Sequence, residues 1–288
     1  MSLKDTVKKI LPNIVWSKIK NLRNSERVET LKLNALKKIK LNAENLRSSH
    51  KVDIDDIIHN ADTSKAWQIY NKKIKNLNIP DLTGGVNVGD RKALFYIVCY
   101  FKPQSMLEIG THIGASTVNI ASGLDHNKKH HHIKTQFSTL DIRDVNCEKD
   151  KPWLKFDSAN SPQSMLESLD LSIDTKFINQ SSIDYFENTD EKYDLIFLDG
   201  DHSAQTVYKE VPKALKCLNK DGIILLHDYF RKGESANPNN DFNSGPYLGI
   251  QRHITEGANI TVKPLGDLPW QTKLGSNRTS LALLLKKE

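Results

Sequence analysis

The chain reads as an α/β protein in which a mostly parallel sheet is flanked by helices and preceded by a helical extension. Three observations predict this. Short apolar runs ending in ionisable side chains, at Met106 to Glu108, Phe137 to Asp141, Leu195 to Asp199 and Ile223 to Asp228, alternate with longer segments of helical period. Glycines at 110 and 114 join the first run directly to an amphipathic segment carrying Val118, Ile120 and Ala121, a strand, tight turn and helix in succession. Residues 1 to 50 contain no glycine and repeat apolar side chains at threes and fours.

Taken in order, Ile10, Leu11, Ile14, Ile19 and Leu22, then Leu36, Ile39, Ala43 and Leu46, predict two amphipathic helices, with Pro12 tolerated near the start of the first. Asp53 to Asn78 predicts a further helix. The stretch from Ile79 to Gly85 breaks the pattern, which places a domain boundary there: a basic helical extension over 1–81 and the main domain over 82–288. A helix from Asp90 through Leu94, Ile97, Val98 and Phe101 is ended by Pro103. After the first strand and its helix, the polar stretch from Asp125 to Gln136 reads as a loop whose His126, His130, His131 and His132 are exposed rather than metal-binding. Phe137 to Asp141 is the second strand, Ser161 to Leu169 a helix and Thr175 to Asn179 the third strand. The run that starts at Asp194 is a strand, followed by a helix through Val207, Val211, Ala214 and Leu218, the turn Lys220-Asp221-Gly222 and the strand Ile223 to Leu226. Phe230 to Gly245, rich in Asn, Pro and Gly, predicts no buried element and frames a substrate entrance. Tyr247 to Glu256 reads as a helix, Asn259 to Val262 as a strand and Thr279 to Leu285 as a last, alternating strand. Trp270 reads as core packing.

Composition narrows the function classes. At 288 residues and 38% hydrophobic content the chain can bury one sizeable core plus an appendage. No apolar run approaches the roughly 18 residues that a membrane span needs, and no signal-peptide pattern opens the chain. Cys99, Cys147 and Cys217 are scattered, without metal-type spacing, which suits a reducing, cytoplasmic compartment; Cys99 and Cys217 fall in apolar helical patterns. The net charge of +6 is unevenly placed: residues 1 to 80 hold 17 Lys and Arg against 8 Asp and Glu, the remainder 24 against 27. A mildly acidic main domain argues against a nucleic-acid partner and for a small-molecule substrate. The basic extension leaves three readings: weak membrane-surface contact with Trp16 at the interface, a dimerisation arm, or a helical lid with a solvated basic face.

Four strand ends carry the candidate chemistry. At the first, the glycine corner offers unpaired N–H groups and a positive helix end to a ligand. Glu108 there repels pyrophosphate but suits a ligand with an ammonium group, and the dinucleotide fingerprint wants glycine where His112 stands. Asp141, ending the second strand, is placed to accept both hydroxyls of a ribose. Asp199 and Asp228 end strands that neighbour each other in a parallel sheet, and two converging carboxylates invite a hard cation such as Mg²⁺. His202, three residues after Asp199, has an imidazole suited to removing a hydroxyl proton.

The run Glu108-x-Gly110-x-x-x-Gly114 after a strand resembles the first motif of class I S-adenosylmethionine-dependent methyltransferases, and Asn87-Val88-Gly89-Asp90 with Lys92 resembles the segment that closes over the cofactor's methionine end in the catechol O-methyltransferase type. The resemblance runs from about Leu82 to the C-terminus and implies a Rossmann-like, seven-stranded, mostly parallel sheet. It implies S-adenosylmethionine bound by Val88, Glu108, Gly110, His112, Gly114, Ser116, Asp141 and Asp199, with Gln180 and Ser181 bordering the adenine. It implies a divalent metal, Mg²⁺ or Mn²⁺, on Asp199 and Asp228. The catechol type has Asn after its second Asp; Tyr229 stands here, and His227 resembles the Glu that precedes Asp in metal-dependent sugar methyltransferases and completes the ligand set. A histidine ligand shifts preference toward Mn²⁺, Fe²⁺ or Zn²⁺. His202 falls where the catechol type has its catalytic Lys and the sugar-modifying relatives have His.

The expected reaction is therefore methyl transfer to a small-molecule hydroxyl, with Asp199 and His202 catalytic. A metal-dependent hydroxylase or a non-catalytic binding module on the same fold are the alternatives, and an NAD(P)-dependent oxidoreductase is disfavoured by Glu108 and His112.

Overall fold

A computed structural model describes residues 26–81, 83, 85–230 and 243–288. In chain order its elements are α1 (Glu26–Asn34), α2 (Ile54–Ile58), α3 (Ala61–Lys75), α4 (Val88–Phe101), β1 (Ser105–Ile109), α5 (Ala115–His131), β2 (Gln136–Asp141), α6 (Pro162–Ser168), β3 (Thr175–Asn179), α7 (Ser182–Asn188), β4 (Tyr193–Leu198), α8 (Ala204–Lys216), β5 (Leu218–Leu226), α9 (Gly245–Thr255), β6 (Ile260–Pro264) and β7 (Ala282–Lys286).

Seven strands form one sheet in the order β3-β2-β1-β4-β5-β7-β6. All pairings from β3 to β5 are parallel, while β7 runs antiparallel to both β5 and β6. The expected seven-stranded, mostly parallel sheet is what forms. Alternation along each strand splits the core in two, because successive side chains leave opposite faces. Leu195 and Phe197 of β4 face one layer with α3, α4 and α5, and Ile196 and Leu198 face the other with α8 and α9. Glu108 lies on the first face, pairing in register with Thr139 and Phe197.

Caps follow the sequence closely. Asn87 accepts from the amides of Gly89 and Asp90 at the start of α4, Ser161 from Ser164 at α6 and Ser203 from Thr206 at α8, each satisfying a donor the helix leaves orphaned. Lys102, left-handed at φ 49, and Pro103 close α4. Cys99 and Cys217 are buried as expected.

Three expectations are corrected. The helix predicted over Asp53 to Asn78 is two, because Asn60 caps a fresh start by accepting from the Thr63 amide. The stretch read as a loop from Asp125 is helical to His131, so the histidine run lies on the last turns of α5. Residues 36–46, predicted as a helix, take no helical form. Side chains from the body of the protein bond this segment's backbone instead: Ile39 N–H donates to Tyr208 Oη at 2.8 Å, and Arg252 donates to the carbonyl of Leu36 and to that of Leu33 at the end of α1. The helix predicted over Ile10 to Leu22 lies outside the described residues, as does most of the loop from Phe230.

The expected boundary near residue 82 falls inside a shared core. Val52, Ile57, Trp67, Tyr70 and Ile74 are buried in the same cluster as α4 and the sheet, and Trp67 meets Phe95 edge-on at 5.3 Å. Farther back, Leu46 bridges Gly222 and Ser48 bridges Lys286. Among the described residues no helix is long and apolar enough to cross a membrane.

Candidate active site

The β1–α5 corner is built as the glycines predicted, though for a partly different reason. Gly110 has φ +101, and a Cβ there would stand 2.2 Å from the Asp199 carbonyl oxygen. The glycine therefore lets β1 pass the end of β4, where its neighbour Ile109 accepts the Asp199 amide at 2.9 Å. Gly114, φ +81, is pressed in the same way against Pro162. Beneath the corner Glu108 is fully buried. Its Oε2 accepts from the hydroxyls of Thr117 and Thr139, both at 2.6 Å, while Oε1 has no partner. Burial pushes its carboxyl up to about 7, against the pull of those hydroxyls and that of Ser116.

Asp141, at the end of β2, accepts four hydrogen bonds. Two come from the amides of His112 and Arg143, each 2.9 Å, and two from the Arg143 guanidinium, each 3.0 Å. Burial opposes ionisation, but Arg143 and the two amides hold the carboxyl below its ordinary range. The guanidinium also lies over the Phe156 ring at 5.8 Å, and the His112 ring packs on Phe156 at 4.2 Å. Beside it Ile142 is 73% exposed, a large apolar side chain at the rim. Gln180 follows on β3, its amide bonded to the Asp141 carbonyl, and the Ser181 hydroxyl is spent on capping α7 and on Asp184. Val88 is half-exposed at the start of α4.

The ends of β4 and β5 bring the remaining candidates together. His227 Nδ1 lies 2.7 Å from Asp199 Oδ1 and 3.6 Å from Asp228 Oδ1. His202 Nε2 lies 3.5 Å from Asp199 Oδ1 and 3.7 Å from Asp228 Oδ2. Single ligand atoms of Asp199, His202 and His227 all fall within 4.8 Å of one another, the spacing of a metal ligand set. His202, expected as a base, thus stands inside this set, and Asp228, expected as a ligand, borders it. Both ring nitrogens of buried His227 lack a partner in hydrogen-bonding orientation despite the short contact with Asp199. Burial pulls the His227 pKa down, yet Asp199 and Asp228 outweigh it and raise it well above the ordinary value. Asp228 is held below its ordinary range against burial, chiefly by the two histidines. Its φ of 52 puts a non-glycine residue in the left-handed region, strain of the kind found where a side chain is aimed at a site.

Two further side chains complete the cluster, and sequence reasoning missed both. Asp90 is buried with Oδ1 unpartnered, and its Oδ2 lies 3.5 Å from His227 Nε2. Asn243 donates to Asp228 Oδ2 at 3.1 Å. Tyr229, in the position where the resemblance wants Asn, is buried and its hydroxyl accepts from Gln251 at 3.3 Å. The three histidines of α5 and His132, which caps it, join no metal-type group among the described residues.

Residues 107–229 match the family model described as a methyltransferase domain. The fold is that of class I methyltransferases. Cofactor-bound Rv0187 from MTB superposes with a TM-score of 0.50 at 16% identity, over 78% of this chain and 90% of that one. The SAH-bound methyltransferase PaMTH1 of Podospora anserina gives 0.49 at 17% identity, over 80% and 89%. An O-methyltransferase from Bacillus cereus in complex with SAH gives 0.47 at 21%, over 82% and 95%. At such identities the likeness is one of fold. Comparison with curated proteins finds no match.

Proposed function

We propose that the protein transfers a methyl group from S-adenosylmethionine to a hydroxyl oxygen of a small molecule, assisted by a divalent cation. The observation that carries this reading is the convergence of Asp199, His202, His227 and Asp228 at the same edge of the sheet as Glu108 and Asp141. All six lie within the stretch that matches a methyltransferase domain.

The residues fit both groups. The orphaned buried Oε1 of Glu108 suits an ammonium group, and the paired oxygens of Asp141 suit a vicinal diol. The unsatisfied ring nitrogens of His227 beside two carboxylates suit a cation. When bound, S-adenosylmethionine supplies a methyl already electrophilic on its sulfonium, and a cation held by Asp199 and His227, with Asp228 bordering it, would lower the pKa of a neighbouring hydroxyl. Glu108 and Asp141 orient the donor from two strand ends, which fixes its direction relative to the β4 and β5 ends. His202 is the most open of the four, with 25% of its side chain exposed against 9% for His227. It takes the acceptor's proton at Nε2, and the carboxylates of Asp199 and Asp228 stabilise the imidazolium.

Calorimetry with S-adenosylhomocysteine is expected to show binding that Asp141→Ala weakens strongly, and NADH is expected not to bind. Tight NADH binding without a response to S-adenosylhomocysteine removes the reading altogether. With a panel of small phenols and alcohols, methyl transfer should fall on chelation and return with Mg²⁺ or Mn²⁺. His202→Ala should lose about 10²–10⁴-fold in rate at unchanged S-adenosylhomocysteine affinity. Full activity in excess chelator removes the cation, and full activity in His202→Ala removes the base.

A further inference from the structure

The loop that carries His202 is clamped from two sides by elements that lie outside the motif. On one side Gly245, the first residue of α9, is packed so closely that a Cβ would stand 1.9 Å from the His202 carbonyl oxygen and 2.6 Å from the Ala204 nitrogen. On the other side Glu29, in α1 of the N-terminal segment, is 5% exposed and reaches the same corner. Its Oε2 accepts the Ala204 amide at 2.7 Å, and its Oε1 pairs with Lys32 at 3.4 Å. The Ala204 amide is the first donor of α8, one of those a helix cannot satisfy internally, and the Ser203 hydroxyl is already committed to Thr206. Around this contact Leu33, Ala204 and Tyr208 form a small apolar cluster with Leu36, Ile39 and Leu248, which excludes water from the hydrogen bond.

We infer that Glu29 is a positioning residue: its carboxylate fixes the Ser203-Ala204 corner against Gly245 and so sets where the His202 imidazole stands over Asp199 and Asp228. The N-terminal segment is thereby part of the unit that holds the site. The hydrogen bond needs an acceptor of the right reach more than it needs a charge. Gln at 29 keeps both the length and a carbonyl acceptor. Asp keeps the charge but withdraws the oxygens by one methylene, and Ala removes the acceptor.

The role of His202 as base rests on the function proposed above, so the deciding measurement is one that does not need turnover. In the full chain labelled at its histidine rings, the His202 resonances are assigned by their loss in His202→Asn. They are expected to shift or broaden in Glu29→Ala and Glu29→Asp and to keep their wild-type positions in Glu29→Gln, while those of His112 at the other strand end stay unmoved in all three. If an acceptor turns over, kcat should fall about tenfold in Glu29→Ala and Glu29→Asp and recover in Glu29→Gln, at unchanged KM for S-adenosylmethionine, since small misplacement of a catalytic group is costly. Should Glu29→Ala fail to fold, the comparison of Gln with Asp decides alone. Wild-type His202 signals in Glu29→Asp, or signals in Glu29→Gln that match those of Glu29→Ala, overturn the proposal. Absence of methyl transfer in the wild type counts against the proposed function and leaves the ring signals to judge Glu29.

Discussion

On the function proposed above, Arg143 occupies the Asp141 oxygens that would take the ribose. Its two guanidinium bonds to Asp141 have the same paired geometry that a vicinal diol offers, so ligand and side chain compete for one fork of oxygens. The guanidinium is 43% exposed, and solvent screening limits the worth of the pair to about 1 kcal/mol. Arg143→Ala should therefore bind S-adenosylhomocysteine up to about fivefold more tightly in calorimetry, with the gain shrinking as salt is raised. Weaker binding in that variant would mean that Arg143 contacts the ligand instead. Glu108 gives a pH prediction of opposite character. Its folded pKa of about 7 is raised above an unfolded value near 4.5, so the folded state holds the proton more firmly. The associated stability is complete below pH 4.5 and is lost as pH rises through 7, by up to about 3 kcal/mol. Buried Glu210, also near 7, adds a contribution of the same sign. His126 and His253, each held by burial near 4, contribute with the opposite sign over part of this range, so the test is differential: between pH 5 and pH 8 the wild type should lose more stability in urea unfolding than Glu108→Gln does. The acids that end strands were legible in the sequence because a parallel sheet collects such ends at one edge. Arg143 as competitor, Asp90, Asn243 and Glu29 were not, since nothing local says which distant side chain will face them.

At the scale of elements, local signals succeeded where the chain satisfies its own backbone and failed where another part of the protein does so. The strands over 137–141 and 175–179 and the helices capped by Asn87, Ser161 and Ser203 were legible from period, while the fresh start at Asn60 and the Ser181-capped α7 were not. The last two turns of α5 were missed because lysines and histidines there suggest a loop, yet both residue types are favourable at a helix C-terminus. Residues 36–46 repeat like a helix, but Tyr208 and Arg252 bond the backbone in and near them more advantageously. Helix α3 shows the reverse, a segment read correctly as helical but assigned to an appendage. Its Trp67 packs on Phe95, and the Tyr70 hydroxyl donates to buried Asp125 at 2.6 Å. Trp67→Ala should cost about 3–5 kcal/mol, the usual range for a buried aromatic, measured as a shift in the urea midpoint at unchanged slope. A cost below 1 kcal/mol would show that α3 only rests on the surface.

For the molecule as a whole, the charge of the chain and its packing divide differently. Its basic excess sits in residues 1 to 80, while the rest is mildly acidic, and that contrast suggested two separable parts. Burial does not follow charge: Val52, Ile57, Ile58, Ala66, Trp67, Tyr70 and Ile74 belong to the same cluster as Leu94, Ile97 and the sheet. The lysines of α3 alternate with these residues around the helix, so one face is basic and the other is core. Removing residues 1–81 would expose the α4 and α5 surface that this face covers, together with the β5 and β7 ends that Leu46 and Ser48 bridge. It would also delete Glu29, and with it the acceptor for the Ala204 amide. A chain beginning at Leu82 is therefore expected to be recovered mainly as aggregate, or as a species without a cooperative urea transition, whereas the full chain is expected to unfold cooperatively. Solubility, urea unfolding and S-adenosylhomocysteine calorimetry on the shortened chain make the test. A soluble, cooperatively folded product that binds S-adenosylhomocysteine with full-chain affinity would restore the boundary at 82 and confine the first eighty residues to a role outside the core.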